Sequence, residues 1–165
     1  MADILARARA VRLAIFDVDG VLTDGTLWFG PSGEALKAFN ILDGHGLKML
    51  AEAGIATAIL SGRESEAVSR RAGELGIAHV VQGSKDKLAD FARLMDRCGV
   101  KAEECAFVGD DLPDLAVMRR CGFAVAVANA VEAVKAAAHH VTEARGGRGA
   151  VREFCDLVLR ARGAA

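Results

Sequence analysis

Short apolar runs and helix-period stretches alternate along the chain. Residues 11–16 are apolar apart from Arg12 and stop abruptly at Asp17. Residues 55–60, 78–81, 105–108 and 123–127 have the same character, each bounded by Gly or polar residues. Runs of this length rich in Val, Ile and Phe predict strands. Between them, apolar positions recur at helical spacing over 46–53, 65–75, 86–98, 112–120 and 131–138. A last helix over about 150–161 places Val151, Phe154, Leu157 and Val158 on one face. Strands alternating with helices predict β-α-β units, and strands apolar at successive positions predict burial on both faces. One segment breaks the pattern. Residues 27–29, the turn-forming Gly30-Pro31-Ser32-Gly33 and residues 35–39 predict an inserted β-hairpin. The expected fold is α/β: a Rossmann-like parallel sheet with helices on both faces and an inserted β-hairpin. No repeat or linker divides it, so residues 1–165 are expected to form a single domain, with a hairpin about 27–39 and a C-terminal tail about 143–165.

Composition narrows the function. Lys plus Arg number 21 against 22 Asp plus Glu, a net charge of −1, so no basic face is available for nucleic acid. One Trp and no Tyr leave few stacking platforms for single strands. No long uncharged apolar stretch predicts a membrane span, and residues 1–12 lack the apolar run of a signal peptide. The four cysteines form no C-x-x-C pair, which fits buried thiols in a reducing cytoplasm.

In open α/β sheets, ligands sit beyond the carboxyl ends of the strands. Asp17, Asp19 and Gly20 follow the first strand; Ser61, Gly62 and Arg63 follow the second. Lys85 and Lys87 follow the third, and Asp110, Asp111 and Asp114 the fourth. Carboxylates from two strand ends repel one another unless a cation lies between them, and an all-oxygen site suits Mg²⁺. Ser61, where the next helix begins, is a seat for phosphate, or a simple helix cap. A lysine adds a point charge for phosphate, and a carboxylate can attack phosphorus to form an acyl-phosphate.

Phe16-Asp17-Val18-Asp19-Gly20-Val21-Leu22-Thr23-Asp24-Gly25, then Ser61, Lys87 and Gly109-Asp110-Asp111-x-x-Asp114 in order, resemble the haloacid dehalogenase superfamily of phosphohydrolases over nearly the whole chain. The resemblance implies Asp17 as nucleophile and Asp19 as general acid and then base. It implies Ser61 and Lys87 as phosphoryl-binding groups. Asp17, Asp19 (through its backbone carbonyl) and Asp110 become ligands of Mg²⁺, with Asp111 and Asp114 holding metal waters and Lys87. The intervals between Asp17, Ser61 and Lys87 hold only the hairpin and core elements, so no cap domain is expected. A neighbouring subunit then supplies the missing wall, with Trp28 and Phe29 of the hairpin as its contact surface.

Lys37-Ala38-Phe39-Asn40, Asp43-Gly44-His45-Gly46-Leu47-Lys48, Ser61-Gly62-Arg63, Arg71 and the segment Gly146-Gly147-Arg148-Gly149 are similar to the family of 3-deoxy-D-manno-octulosonate 8-phosphate phosphatases. That similarity implies a homotetramer with shared active sites and a small phosphorylated sugar acid as substrate, in lipopolysaccharide biosynthesis. It implies Asp19, Asn40, Asp43, Gly44, Lys48, Arg63, Arg71, Lys87 and Arg148 as substrate-binding residues. Arg148 would reach a neighbour's site from the tail, although the last helix packing on its own core is the alternative. A nine-carbon sugar acid phosphate is an alternative substrate, and a non-catalytic assembly subunit an alternative role.

Overall fold

The computed structural model describes residues 2–163, so residues 1, 164 and 165 of the expected domain lie outside the described residues. Six strands form a parallel sheet: β1 (Leu13–Phe16), β4 (Ala56–Leu60), β5 (His79–Val81), β6 (Cys105–Gly109), β7 (Phe123–Ala126) and β8 (His140–Val141). Their spatial order is β5-β4-β1-β6-β7-β8. β1 is central and pairs with β4 on one side and β6 on the other. All four of its residues are buried.

Helices cover both faces. α2 (Ile41–Glu52) and α3 (Glu66–Leu75) lie on one face with α1 (Ala2–Ala10) and α7 (Ala150–Arg162). α4 (Lys87–Cys98), α5 (Leu115–Met118) and α6 (Glu132–Ala137) cover the other. Phe154 of α7 meets Phe16 edge-on, with ring centroids 5.6 Å apart, and also contacts Phe123. The hairpin is a separate antiparallel pair, β2 (Trp28–Gly30) and β3 (Gly33–Leu36), with Trp28, Phe29 and Leu36 exposed. Among the described residues no cap domain covers the strand ends, and no helix is long and apolar enough to cross a membrane.

Four elements depart from the sequence expectation. α2 begins at Ile41 rather than residue 46, because the Asn40 side chain accepts hydrogen bonds from the Leu42 and Asp43 N–H groups and caps it. Gly44 and Gly46 dilute the helical signal of that first turn. Residues 2–10 form a helix whose Arg7–Asp3 pair bridges one turn, a segment with no expected element. The helix expected over 112–120 is a tight turn at Leu112–Asp114 followed by the four-residue α5, since Pro113 cannot donate within a continuing helix. The edge strand β8 (His140–Val141) is likewise a segment with no expected element, whereas the expected last helix forms over Ala150–Arg162 and packs on the core. Val151, Phe154, Cys155 and Val158 are fully buried, and only the loop before them is irregular.

Candidate active site

The strand order brings the ends of β4, β1 and β6 together, and with them Ser61, Asp17 and Asp110. The Asp17 N–H donates to the Val108 carbonyl (3.1 Å), which extends the β1–β6 ladder by one residue and fixes the first carboxylate at the sheet edge. The chain then winds through a tight turn closed by Thr23 N–H donating to Val18 O (3.0 Å). Gly20 in that turn has φ +88°, a conformation glycine adopts without strain. A Cβ there would also lie 2.0 Å from Asp110 Oδ2, so the bare Cα is what lets the two strand ends close on each other. Asn129 holds the turn from behind. Its Nδ2 donates to Gly20 O (3.1 Å) and its Oδ1 accepts from Gly146 N–H (2.6 Å).

Lys87, at the start of α4, sits 3.1 Å from Asp17 Oδ1 and 2.7 Å from Asp114 Oδ1. The helix is capped by Asp86, whose side chain accepts from Leu88 and Ala89 N–H, so the lysine is presented from a rigid first turn. Asp114 is fully buried, and its other oxygen accepts from the Asp110 and Asp111 N–H groups. That carboxylate is therefore committed to holding Lys87 and the loop after β6.

Burial and the neighbouring Asp114 charge push the Asp17 carboxyl up to about 6, against the opposing pull of Lys87. Burial, and then the charges of Asp17, Asp114 and Asp111, push Asp110 up to about 7. For Lys87, burial works to lower the value, but the two carboxylates outweigh it and the net shift is upward. One oxygen from each of Asp17, Asp110 and Asp114 lies within 4.8 Å of the others. Asp110 Oδ1 is buried with no hydrogen-bond partner among the described residues. Three carboxylates against one ammonium, with an orphaned oxygen among them, make a hard, all-oxygen seat that fits a divalent cation such as Mg²⁺.

Asp19 belongs to a second group. Its Oδ1 is paired with Lys37 Nζ, and its Oδ2 lies 3.5 Å from Arg63 Nε. Glu34 Oε2 joins both cations, 3.2 Å from Lys37 Nζ and 2.9 Å from Arg63 Nη2. Ser61 is buried at the end of β4, and its Oγ accepts from Arg63 N–H (3.4 Å). Beside this group a cleft of about 540 Å³ opens between β3 and α3, lined by Glu34, Lys37, Phe39, Arg70 and Arg71 among others. Arg71 also pairs with Glu74 and lies over the buried Gly44.

Other expected binding residues are placed elsewhere. Asn40 caps α2 and donates to Gly147 O (3.4 Å). Asp43 is only 1 % exposed, and its oxygens accept from Arg152 N–H (2.8 Å) and Gly149 N–H (3.4 Å) at the start of α7. Both thus hold the chain to itself, because each is the nearest acceptor to an otherwise unpaired helix start. Lys48 is exposed on α2 and does not line the cleft. Arg148 is likewise exposed and paired with Asp24 (3.2 Å). Lys37, Glu34 and Asn129 were not among the expected site residues. Lys37 stands in the motif 37–40, but its direction of approach to Asp19 depends on how the hairpin folds back.

Residues 74–153 match the haloacid dehalogenase-like hydrolase family. The chain is 47% identical over 162 residues to the 3-deoxy-D-manno-octulosonate 8-phosphate phosphatase KdsC of Escherichia coli K12, covering 98% of this chain and 86% of that protein. It belongs to this phosphatase family, within the haloacid dehalogenase-like hydrolases. The crystal structure of the Yersinia pestis 3-deoxy-D-manno-octulosonate 8-phosphate phosphatase superposes with a TM-score of 0.96 at 46% identity, covering 98% of this chain and 88% of that one. The Moraxella catarrhalis phosphatase, solved with a magnesium ion, a phosphate ion and a KDO molecule, superposes with a TM-score of 0.96 at 44% identity. It covers 99% of this chain and 94% of its own. The fold is thus shared with these two phosphatases over nearly the whole of this chain.

Proposed function

We propose that this chain hydrolyses 3-deoxy-D-manno-octulosonate 8-phosphate to the free sugar acid and inorganic phosphate, as a Mg²⁺-dependent step of lipopolysaccharide biosynthesis. The observation that carries the reading is the Asp17–Lys87–Asp110 group, largely shielded from solvent, in a chain alike over nearly its whole length to phosphatases of that name. An Asp17 carboxylate oxygen attacks phosphorus. The bond from phosphorus to the sugar oxygen breaks, and Asp19 delivers a proton to that oxygen. Water, deprotonated by Asp19, then attacks phosphorus and frees the Asp17 carboxylate with release of phosphate. Lys87 and Ser61 bind the phosphoryl oxygens, and Lys87 keeps Asp17 ionised as nucleophile. Asp17 and Asp110, with the backbone carbonyl of Asp19, would hold the cation, while Asp114 and Asp111 fix the loop. A bound Mg²⁺ supplies charge neutralisation, which lets one anion approach another.

The sugar acid carries a carboxylate besides its phosphate, and Arg63, half exposed beside Ser61, is the group we take to bind it in bidentate fashion, giving up its Glu34 contact. Arg71, across the cleft, is a second cation for it. Lys48 and Arg148 face solvent within one protomer, so their contribution belongs to a site shared between subunits. The exposed Trp28, Phe29, Leu36, Ile41 and Leu42 supply an apolar face for that assembly, which we take to be a cytoplasmic homotetramer of single-domain chains. The four cysteines, all free thiols, fit a reducing compartment.

Phosphate release from the eight-carbon substrate, the nine-carbon sugar acid phosphate and a panel of sugar phosphates, with and without Mg²⁺, tests the proposal. Preferred turnover of the eight-carbon ester is expected; a clear preference for the nine-carbon one would overturn the substrate, and no turnover of any would leave an assembly protein. Asp17→Asn is expected to abolish phosphate release while the circular dichroism and oligomeric state stay those of the parent.

A further inference from the structure

We propose that Lys37 is a positioning residue for the general acid, fixing the Asp19 carboxyl so that it faces the leaving oxygen. The inference rests on the phosphatase reading above and adds a group from the hairpin to the site. Lys37 reaches the Asp19 carboxylate from β3's trailing end, and its side chain is 1 % exposed. Its ammonium is therefore held by carboxylates rather than by bulk water. The remaining partner of Asp19 is Arg63, which is 46 % exposed, lies 3.5 Å away and is shared with Glu34. Arg63 alone leaves the carboxyl free to turn about its side-chain bonds, whereas Lys37 holds one named oxygen.

Replacing a whole buried ion network by apolar groups is often neutral, but removing Lys37 alone leaves Asp19 and Glu34 short of a counter-charge, so a loss of stability accompanies any loss of order. What the arrangement provides besides is orientation. Glu34, 3.2 Å from the same Nζ, holds the ammonium from its other side, so Lys37 is itself fixed. The hairpin is a lone two-stranded sheet, which is marginal by itself. The Glu34 and Lys37 contacts to Arg63 and Asp19 tie it to the core, so the orientation of the hairpin and that of the acid are linked.

Acid positioning has a kinetic signature that mere structural support lacks. A sugar phosphate has a poor leaving group and needs the proton; 4-nitrophenyl phosphate has a good one and does not. The value of kcat/KM reports steps through release of the leaving group, so the ratio of the two values within one protein isolates the acid and is independent of the folded fraction. For Lys37→Met we expect the sugar phosphate to lose roughly tenfold to a hundredfold relative to the aryl ester, a part of the roughly hundredfold to ten-thousandfold that general-acid catalysis contributes. Asp19→Asn should lower the same ratio further, and adding Lys37→Met to Asp19→Asn should leave it unchanged. A ratio equal to the parent's in Lys37→Met overturns the proposal. So does a further fall in the double variant, which would make Lys37 a direct substrate ligand. Lys37→Gln, judged by the same ratio, serves if the methionine variant does not fold. A parent enzyme inactive on both esters would instead refute the phosphatase reading itself.

Discussion

Lys87 stands between two buried carboxylates, and everything about its surroundings makes it hard to replace. Lys87→Met leaves Asp17 and Asp114 facing each other with no counter-charge. Removing one partner of a buried ion pair costs about 3–5 kcal/mol. Thermal melts should show that loss, and phosphate release should vanish with it. Asp17 and Asp110 carry a different signature. Both are pushed above the ordinary 3.8, to about 6 and about 7, with burial the leading cause. Without a cation, the folded chain keeps protons there that the unfolded chain releases. Their stabilising contribution is thus complete below about pH 4 and is lost as pH rises through about 6 to 7. Asp24, Glu34, Asp90 and Glu104 are shifted down and act in the opposite sense, so a comparison between proteins is needed. Melts in chelator from about pH 4 to pH 8 should show a smaller fall for Asp110→Asn than for the parent. Added Mg²⁺ should raise the parent's Tm most at the upper end, because it binds the ionised carboxylates.

At the scale of elements, the last helix is held by a residue from another one. Asp43, inside α2, accepts from the N–H groups of Gly149 and Arg152 and so serves α7 as its cap. Burial raises its value, and the N–H groups it accepts from work against that rise. Asp43→Ala removes this cap and is expected to cost about 1–2 kcal/mol. For a chain of this size that lowers the Tm by roughly 2–8 °C, which calorimetry resolves. The loop it anchors also lies against the turn after β1 in the candidate site: a Cβ on Gly146 would sit 1.7 Å from Gly20 O. Loosening α7 therefore loosens the turn that carries Asp17 and Asp19, and Asp43→Ala should lower kcat even where the protein remains folded.

Across the whole molecule, the hairpin and the first turn of α2 leave an apolar face that one protomer does not cover. Phe29 is 69 % exposed and Ile41 81 % exposed. If the proposed tetramer forms through this face, substituting both Trp28→Lys and Phe29→Lys is expected to shift the species seen by light scattering to smaller forms. Activity on the sugar acid phosphate should fall in step if Lys48 and Arg148 serve a neighbouring site as proposed. Retained tetramer would place the contact elsewhere.

Fold class and the cluster of candidate site residues were legible from local signals. Apolar runs ending at Asp17, Ser61 and Asp110 mark the strands and the functional edge together, because a parallel sheet puts every strand end on the same side. The resemblance carried by those motifs singled out Lys87, which the structure seats between Asp17 and Asp114. Other roles depended on contacts between distant parts of the chain. Asn40 and Asp43 read as ligand groups in sequence, yet they close helix starts, one of them more than a hundred residues away. The apolar face of the last helix was legible in the chain, but that it packs on its own sheet was not, because only the packed sheet offers Phe154 its aromatic partners. Lys37 sat in a recognisable motif, but its place against Asp19 exists only once the hairpin folds over the strand ends. Hydrophobic period and motif order act locally and so are written in the chain. Which polar group meets which is set by the approach of elements far apart in sequence, and that only the tertiary structure decides.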